Sequence, residues 1–271
     1  MSKIQIGTQG WNYDDWVGPF YPRGARPSEY LDLYTRVFET VEVDSTFYAI
    51  PSVNSIRSWR ERAPLGFTYS LKLPQQMTHQ QRLHDCADLL KQFCECAVVL
   101  GDKLGPVLIQ LPPDFSPRSW QTFEGFVSLL TSEMRFAVEF RDRAWFENGA
   151  IDRLMELLTR HGVALALIDG QWVSRESMLS LVERPTAPFS YVRWMGPREL
   201  TEFSRVQINR DRELAAWAEG VTKLSRRVDQ IYGYFNNYYQ GHSPASANQF
   251  KKMIGQRVVD PDVLVKQPSL F

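Results

Sequence analysis

The chain has 271 residues, 44% of them hydrophobic, with 31 Lys and Arg balanced by 31 Asp and Glu. That balance excludes a strongly basic nucleic-acid coat, though not a local basic groove. No apolar run approaches the roughly 20 residues that a membrane-spanning helix needs, so no membrane partner is expected. The length suits one α/β barrel of about 250 residues. The start, MSKIQIGTQGW, lacks the apolar core of a signal peptide, which with three clustered cysteines points to the cytoplasm. Cys86, Cys94 and Cys96 read as small apolar residues of one helix rather than as a metal site or a disulfide framework.

In chain order, residues 4–8 (IQIGT) open as a first strand, and a long aromatic loop follows. Pro27 and Ser28 then introduce a helix with apolar residues at Leu31, Tyr34, Val37 and Phe38. Residues 39–44 are the second strand, with a helix from Val53 to Arg62. Residues 67–74 are the third, followed by a helix through Leu89, Leu90, Phe93 and Ala97. Residues 105–113 are the fourth, stopped by paired prolines that cannot continue a ladder. Residues 135–140 are the fifth, and Ile151, Leu154, Leu157 and Leu158 stripe its helix. Residues 163–169 are the sixth, and 171–188 form the least regular connection. Residues 189–194 are the seventh, with Leu214, Trp217, Val221 and Leu224 on the helix after it. Residues 230–237 are the eighth, and the closing helix starts at Ser243 and Pro244. Strands that read as near-continuous apolar runs are buried on both faces, and their alternation with helices implies a parallel sheet. Eight such units predict a single (β/α)8 TIM barrel over residues 1–258, with residues 259–271 as a C-terminal tail. No G-x-G-x-x-G follows the first strand, which argues against a dinucleotide fold.

Seven of the eight strands, from the second onward, end in a polar or charged residue: Glu42, Lys72, Gln110, Glu139 with Arg141, Asp169, Arg193 and Asn236. In a closed barrel these ends meet at one face, where barrel enzymes build their sites. Glu42, Glu139, Asp169 and Lys72 are therefore the catalytic candidates. The three carboxylates could divide acid and base work, or hold a hard cation such as Mg²⁺ or Mn²⁺. Lys72, Arg141 and Arg193 would clamp an anion, with the helix start near Ser243 adding free N–H groups. Gln110 and Asn236 would orient a substrate, with Trp11, Tyr48 and His79 beside it. The competing structural reading pairs Glu42 and Glu139 with Lys72, Arg141 and Arg193 in a charge network. Most aromatics of the first loop read as packing. Four scattered histidines do not make a zinc centre.

The segments GTQGWNYDDWVGPFYP, VEVDSTFYAIP, LKLPQQMTH, LGDKLGPVLIQLPPDF, VEFRDRAWF, YVRW and YFNNYYQGHSPASANQF resemble the successive motifs of the YecE-like family, domain of unknown function 72. The resemblance runs from about Ile4 to about Met253. It implies a TIM barrel similar to sugar-isomerase and endonuclease IV type barrels, and assigns no activity. GTQGW stands where members more often show GTSGW or GCSGW, and RWMGP where RLHG or RFHG is common. The histidine ligands of endonuclease IV have no counterparts here. The last five residues, QPSLF, resemble the pentapeptide by which bacterial replication and repair proteins dock on the sliding clamp. Gln267 would hydrogen-bond at a pocket rim while Leu270 and Phe271 fill it. The expectation is a barrel enzyme for a phosphorylated or nucleic-acid-like anion. A glycosidase or sugar isomerase using Glu42 and Glu139, or a non-catalytic binding module, are the alternatives.

Overall fold

The computed structural model describes residues 2–147 and 149–264. Eight parallel strands alternate with helices, as the apolar runs require. They are β1 (Lys3–Gln9), β2 (Thr40–Val43), β3 (Thr68–Leu71), β4 (Val107–Gln110), β5 (Phe136–Glu139), β6 (Ala164–Asp169), β7 (Phe189–Trp194) and β8 (Gln230–Phe235). Their order is β3-β2-β1-β8-β7-β6-β5-β4. The two ends of that order meet: Lys72 and Leu108 form a parallel bridge, and Leu73 N–H donates to the Leu108 carbonyl at 2.9 Å. The sheet thus curls into a nearly closed TIM barrel.

The helices are α1 (Tyr30–Tyr34), α2 (Val53–Arg62), α3 (Ala87–Ala97), α4 (Trp120–Val127), α5 (Ala150–His161), α6 (Arg175–Ser180), α7 (Asp211–Leu224), α8 (Asn237–Gln240) and α9 (Ser243–Met253). Three differ from expectation. α1 ends at Tyr34, and Val37 and Phe38 are buried beyond it on turns. The irregular stretch 171–188 contains α6, started by Ser174, whose hydroxyl accepts from Ser177 N–H. α8, a single turn capped by Asn236, precedes the closing helix. Cys86 lies just before α3 rather than within it, and all three cysteines are free.

Side chains alternate across a strand, and that period of two builds two cores. Leu108, Ala137, Ala164, Ala166, Phe189, Tyr191, Tyr232 and Tyr234 form an inner cluster. Small alanines on β5 and β6 leave room for the large rings of β7 and β8. The Tyr234 hydroxyl is satisfied inside by Thr40 (2.8 Å) and Ser70 (2.7 Å). Residues of the opposite parity, such as Val41, Val138, Leu165, Leu167, Val192, Trp194 and Phe235, join a larger cluster that includes the helices' buried faces. Continuing the inner parity to the strand ends aims Glu42, Lys72, Gln110, Glu139, Arg141, Arg193 and Asn236 inward. Asp169 shares the outward parity of Leu165 and Leu167.

The start of the expected tail is part of the fold: Pro261–Leu264 forms a short 3-10 turn and buries Leu264 against the larger core. Gln267, Leu270 and Phe271 lie outside the described residues. Among the described residues no helix is long and apolar enough to cross a membrane.

Candidate functional site

A cavity of about 510 Å³ opens at the C-terminal end of the strands, within the range of small-molecule sites. Of the residues singled out by sequence, Lys72, Gln110, Glu139, Arg141, Arg193, Asn236, Tyr48 and His79 line it. Glu42, Asp169 and Trp11 do not. Glu42 lies fully buried in a contact network with Arg193. Trp11 instead packs edge-on against Trp59 (5.8 Å) and Tyr69 (6.3 Å). Gln9, Asp44, Phe47, Ile168, Trp172, Arg198 and Tyr238 are among the further lining residues and were not expected there. Asp44 and Gln9 were legible in principle, because they extend the inward parity of β2 and β1.

One wall is an ion network. The Arg193 guanidinium donates from Nε to Glu42 Oε2 (2.9 Å), from Nη2 to Glu42 Oε1 (2.7 Å) and from Nη1 to Glu139 Oε2. Tyr191 donates to Glu42 Oε2 at 2.7 Å, and Arg141 Nε to Glu139 Oε1 at 2.6 Å. Two carboxylates thus meet two guanidiniums, the arrangement that buried charges require. Burial is the largest influence on Glu42 and pushes its carboxyl up, with Arg193 pulling the other way. Burial pushes Glu139 up as well, but there Arg193 and Arg141 together prevail and hold it down to about 2. Arg193, expected as an anion clamp, therefore spends most of its donors inside the protein.

Asp169 is tied off on the outer side. Arg175 Nε donates to both its oxygens (3.1 and 3.0 Å), and the Tyr239 hydroxyl adds 2.7 Å. The proposed cation set of Glu42, Glu139 and Asp169 accordingly does not assemble. Among the described residues no three His, Cys, Asp or Glu side chains are placed to hold a metal ion. The helix start near Ser243 also differs from expectation. Asn237 Oδ1 accepts from Ser243 N–H (3.0 Å) and hydroxyl (2.8 Å), so those donors are used and Ser243 is buried away from the cavity.

What remains free faces the cavity. Lys72 is only 7% exposed, and its Nζ has no hydrogen-bond or ion-pair partner among the described residues; it sits 3.9 Å from the centre of the Phe47 ring. Burial, with Asp44 opposing and Arg193 assisting, lowers its ammonium to about 8. The Asp44 carboxylate is likewise unpaired among the described residues. His79 is fixed through Nδ1 to Thr78 Oγ1 at 2.8 Å. Burial first, then the charges of Lys72 and Arg141, lower it to about 4, so its imidazole is neutral at neutral pH. Asn236 Nδ2 donates to Gln9 Oε1 at 2.6 Å, joining two strand ends at the rim. Gly196, at φ 60°, lets the loop after β7 meet the main chain of Tyr238, where a Cβ would lie 2.2 Å from a carbonyl oxygen.

A charged, ligand-sized cavity at the C-terminal mouth of eight parallel strands defines a TIM-barrel protein whose candidate site lies where that fold usually carries one. The chain belongs to the DUF72 family: the model described as "Protein of unknown function DUF72" matches residues 5–269. It is 30% identical over 169 residues to the UPF0759 protein YecE of Escherichia coli K12, an alignment spanning 62% of this chain and 60% of that relative's length. The UPF0759 protein YunF of Bacillus subtilis 168 is 23% identical, with 93% of this chain and 94% of the relative aligned. A crystal structure of a DUF72 family protein from Thermotoga maritima superposes with a TM-score of 0.78 at 27% identity, covering 94% of this chain and all of that one. One from Enterococcus faecalis gives 0.76 at 18% identity, with 95% and 99% covered, and shares the fold.

Proposed function

We propose that the cavity binds a small phosphorylated or carboxylated substrate and that the protein is an enzyme acting on it. The observation that carries this reading is the unpartnered Lys72 ammonium facing a cavity that Arg141 and Arg198 also line. Arg141 spends its Nε on Glu139, and among the described residues its two Nη groups have no partner. A fork and a point charge together suit a phosphate or carboxylate, and Gln110, Asn236 and His79 supply neutral hydrogen bonding. Glycoside chemistry is less well supported, because it needs two carboxylates free to attack or protonate. Here Glu42 and Glu139 both hold Arg193. A concave cavity of about 510 Å³ favours a small molecule over a nucleic-acid strand. The sliding clamp remains a partner proposed from sequence alone.

Calorimetry with inorganic phosphate tests the reading. Binding should weaken in Arg141→Gln by roughly 1.5–3 kcal/mol, the worth of a charge-assisted hydrogen bond. An anion beside Lys72 and Arg141 should also cancel part of the field that lowers His79. Its titration, followed by NMR, should move up from about 4 when phosphate is bound. No binding heat together with an unmoved His79 would overturn the proposal.

A further inference from the structure

We propose that Lys72 is an amine nucleophile that forms an imine with an aldehyde or ketone bearing a phosphate or carboxylate group. The inference rests on the anion-binding reading of the cavity and adds what the amine does there.

Three lysines are equally buried; Lys251 lies outside the cavity with its Nζ 5.8 Å from the centre of the Phe38 ring, and the other two are used in different ways. Lys103 is 7% exposed and donates its Nζ to the main-chain carbonyls of Arg60 and Ala63, closing the C-terminal end of α2. Lys72 is equally buried yet its head group is left unspent. Its main chain, by contrast, is fixed: N–H donates to Thr46 Oγ1 at 2.9 Å, and the same hydroxyl donates back to the Lys72 carbonyl at 2.8 Å. The bridge to Leu108 holds the other side. A rigid base carrying an unpartnered amine into a cavity is the geometry of a positioned nucleophile.

Attack requires the neutral amine. Burial and Arg193 favour that form, while Asp44, Glu42 and Glu139 oppose it. Phe47 holds the protonated form by cation–π attraction until the carbonyl arrives. The Nζ lone pair then bonds to the carbonyl carbon as the C=O π pair moves to oxygen. Asp44 takes the first ammonium proton and gives it to the oxyanion. It then takes a second from nitrogen and gives it to the carbinolamine hydroxyl, which leaves as water while nitrogen forms the C=N bond. Ammonium plus carbonyl gives protonated imine plus one water, Asp44 ends as the carboxylate it began as, and no oxidant or reductant is needed. Arg141 and Arg198 would meanwhile hold the phosphate or carboxylate arm.

Pyridoxal 5′-phosphate, an aldehyde with a phosphate arm, is a suitable probe, with borohydride used afterwards to reduce any imine to a stable amine. Peptide mass spectrometry should place the label on Lys72 about tenfold faster than on surface lysines, as a depressed amine pKa allows. Excess inorganic phosphate should slow it. Lys72→Arg should lose this label, because a guanidinium does not form the imine, while phosphate binding is read by calorimetry on the unsubstituted protein. Label spread over surface lysines with Lys72 unmarked, in protein that binds phosphate, overturns the nucleophile and leaves the anion site standing. Label on Lys72 without phosphate binding does the reverse, and neither signal removes both.

Discussion

Arg193 and Glu42 form a two-point ion pair across the barrel interior, Nε to Oε2 at 2.9 Å and Nη2 to Oε1 at 2.7 Å. Their strands are not neighbours: β8 and β1 lie between β7 and β2 in the sheet order. The pair therefore ties opposite parts of the barrel together at one wall of the cavity, and Glu139 extends it to β5.

Removing the shared cation should be far costlier than removing an ordinary surface charge. Arg193→Met leaves Glu42 and Glu139 buried without their principal partner, a situation worth about 3–5 kcal/mol of lost stability. Adding Glu42→Gln to that variant should recover part of the loss, since it deletes one stranded charge. Urea denaturation of the single and double variants measures both. A single-variant loss under about 1 kcal/mol would mean that the network contributes little.

Asp169 makes the complementary case. It holds Arg175 and Tyr239 on the outer side of β6. Asp169→Asn should lower stability by roughly 1–3 kcal/mol, the cost of weakening buried charged hydrogen bonds. Phosphate affinity should be unchanged. If affinity falls in a variant of normal stability, Asp169 belongs to the site after all.

The contrast between these two residues explains how far the sequence could be read. The later strands follow most directly from apolar runs such as residues 164–168, because a strand buried on both faces reads as near-continuously apolar. By contrast, β1 to β3 carry buried polar residues such as Gln5, Thr40 and Ser70. The same burial hides the alternation that separates inward from outward positions. Ile168 and Asp169 both follow an apolar run, and only counting by twos from Ala164 and Ala166 puts Ile168 in the cavity and Asp169 outside it. The pairing of Glu42 with Arg193 was legible only as one option among several, since residues 151 positions apart in sequence are matched by barrel closure and not by any local pattern. Asn237 illustrates a further limit. It organises Trp16 and Ser243 through one oxygen, yet its place in the sequence is that of an ordinary loop asparagine.

Lys72 gives the sharpest dependence on pH. Its ammonium is lowered from 10.5 to about 8 chiefly by burial. Between those two values the unfolded chain holds a proton that the folded protein has released, so stability should rise with pH across that window. Below about 8 both states are protonated, and the folded protein bears the full cost of a buried, unpartnered charge. Lys72→Met removes the charge and keeps most of the apolar stem over Phe47. It should therefore stabilise the protein at neutral pH by roughly 1–3 kcal/mol. The advantage should shrink as pH climbs from about 8 toward 10.5. Chemical denaturation of both proteins along that pH range gives the difference directly. A variant that is less stable than the parent at neutral pH would show that the ammonium is a structural partner, not a group held ready for a ligand.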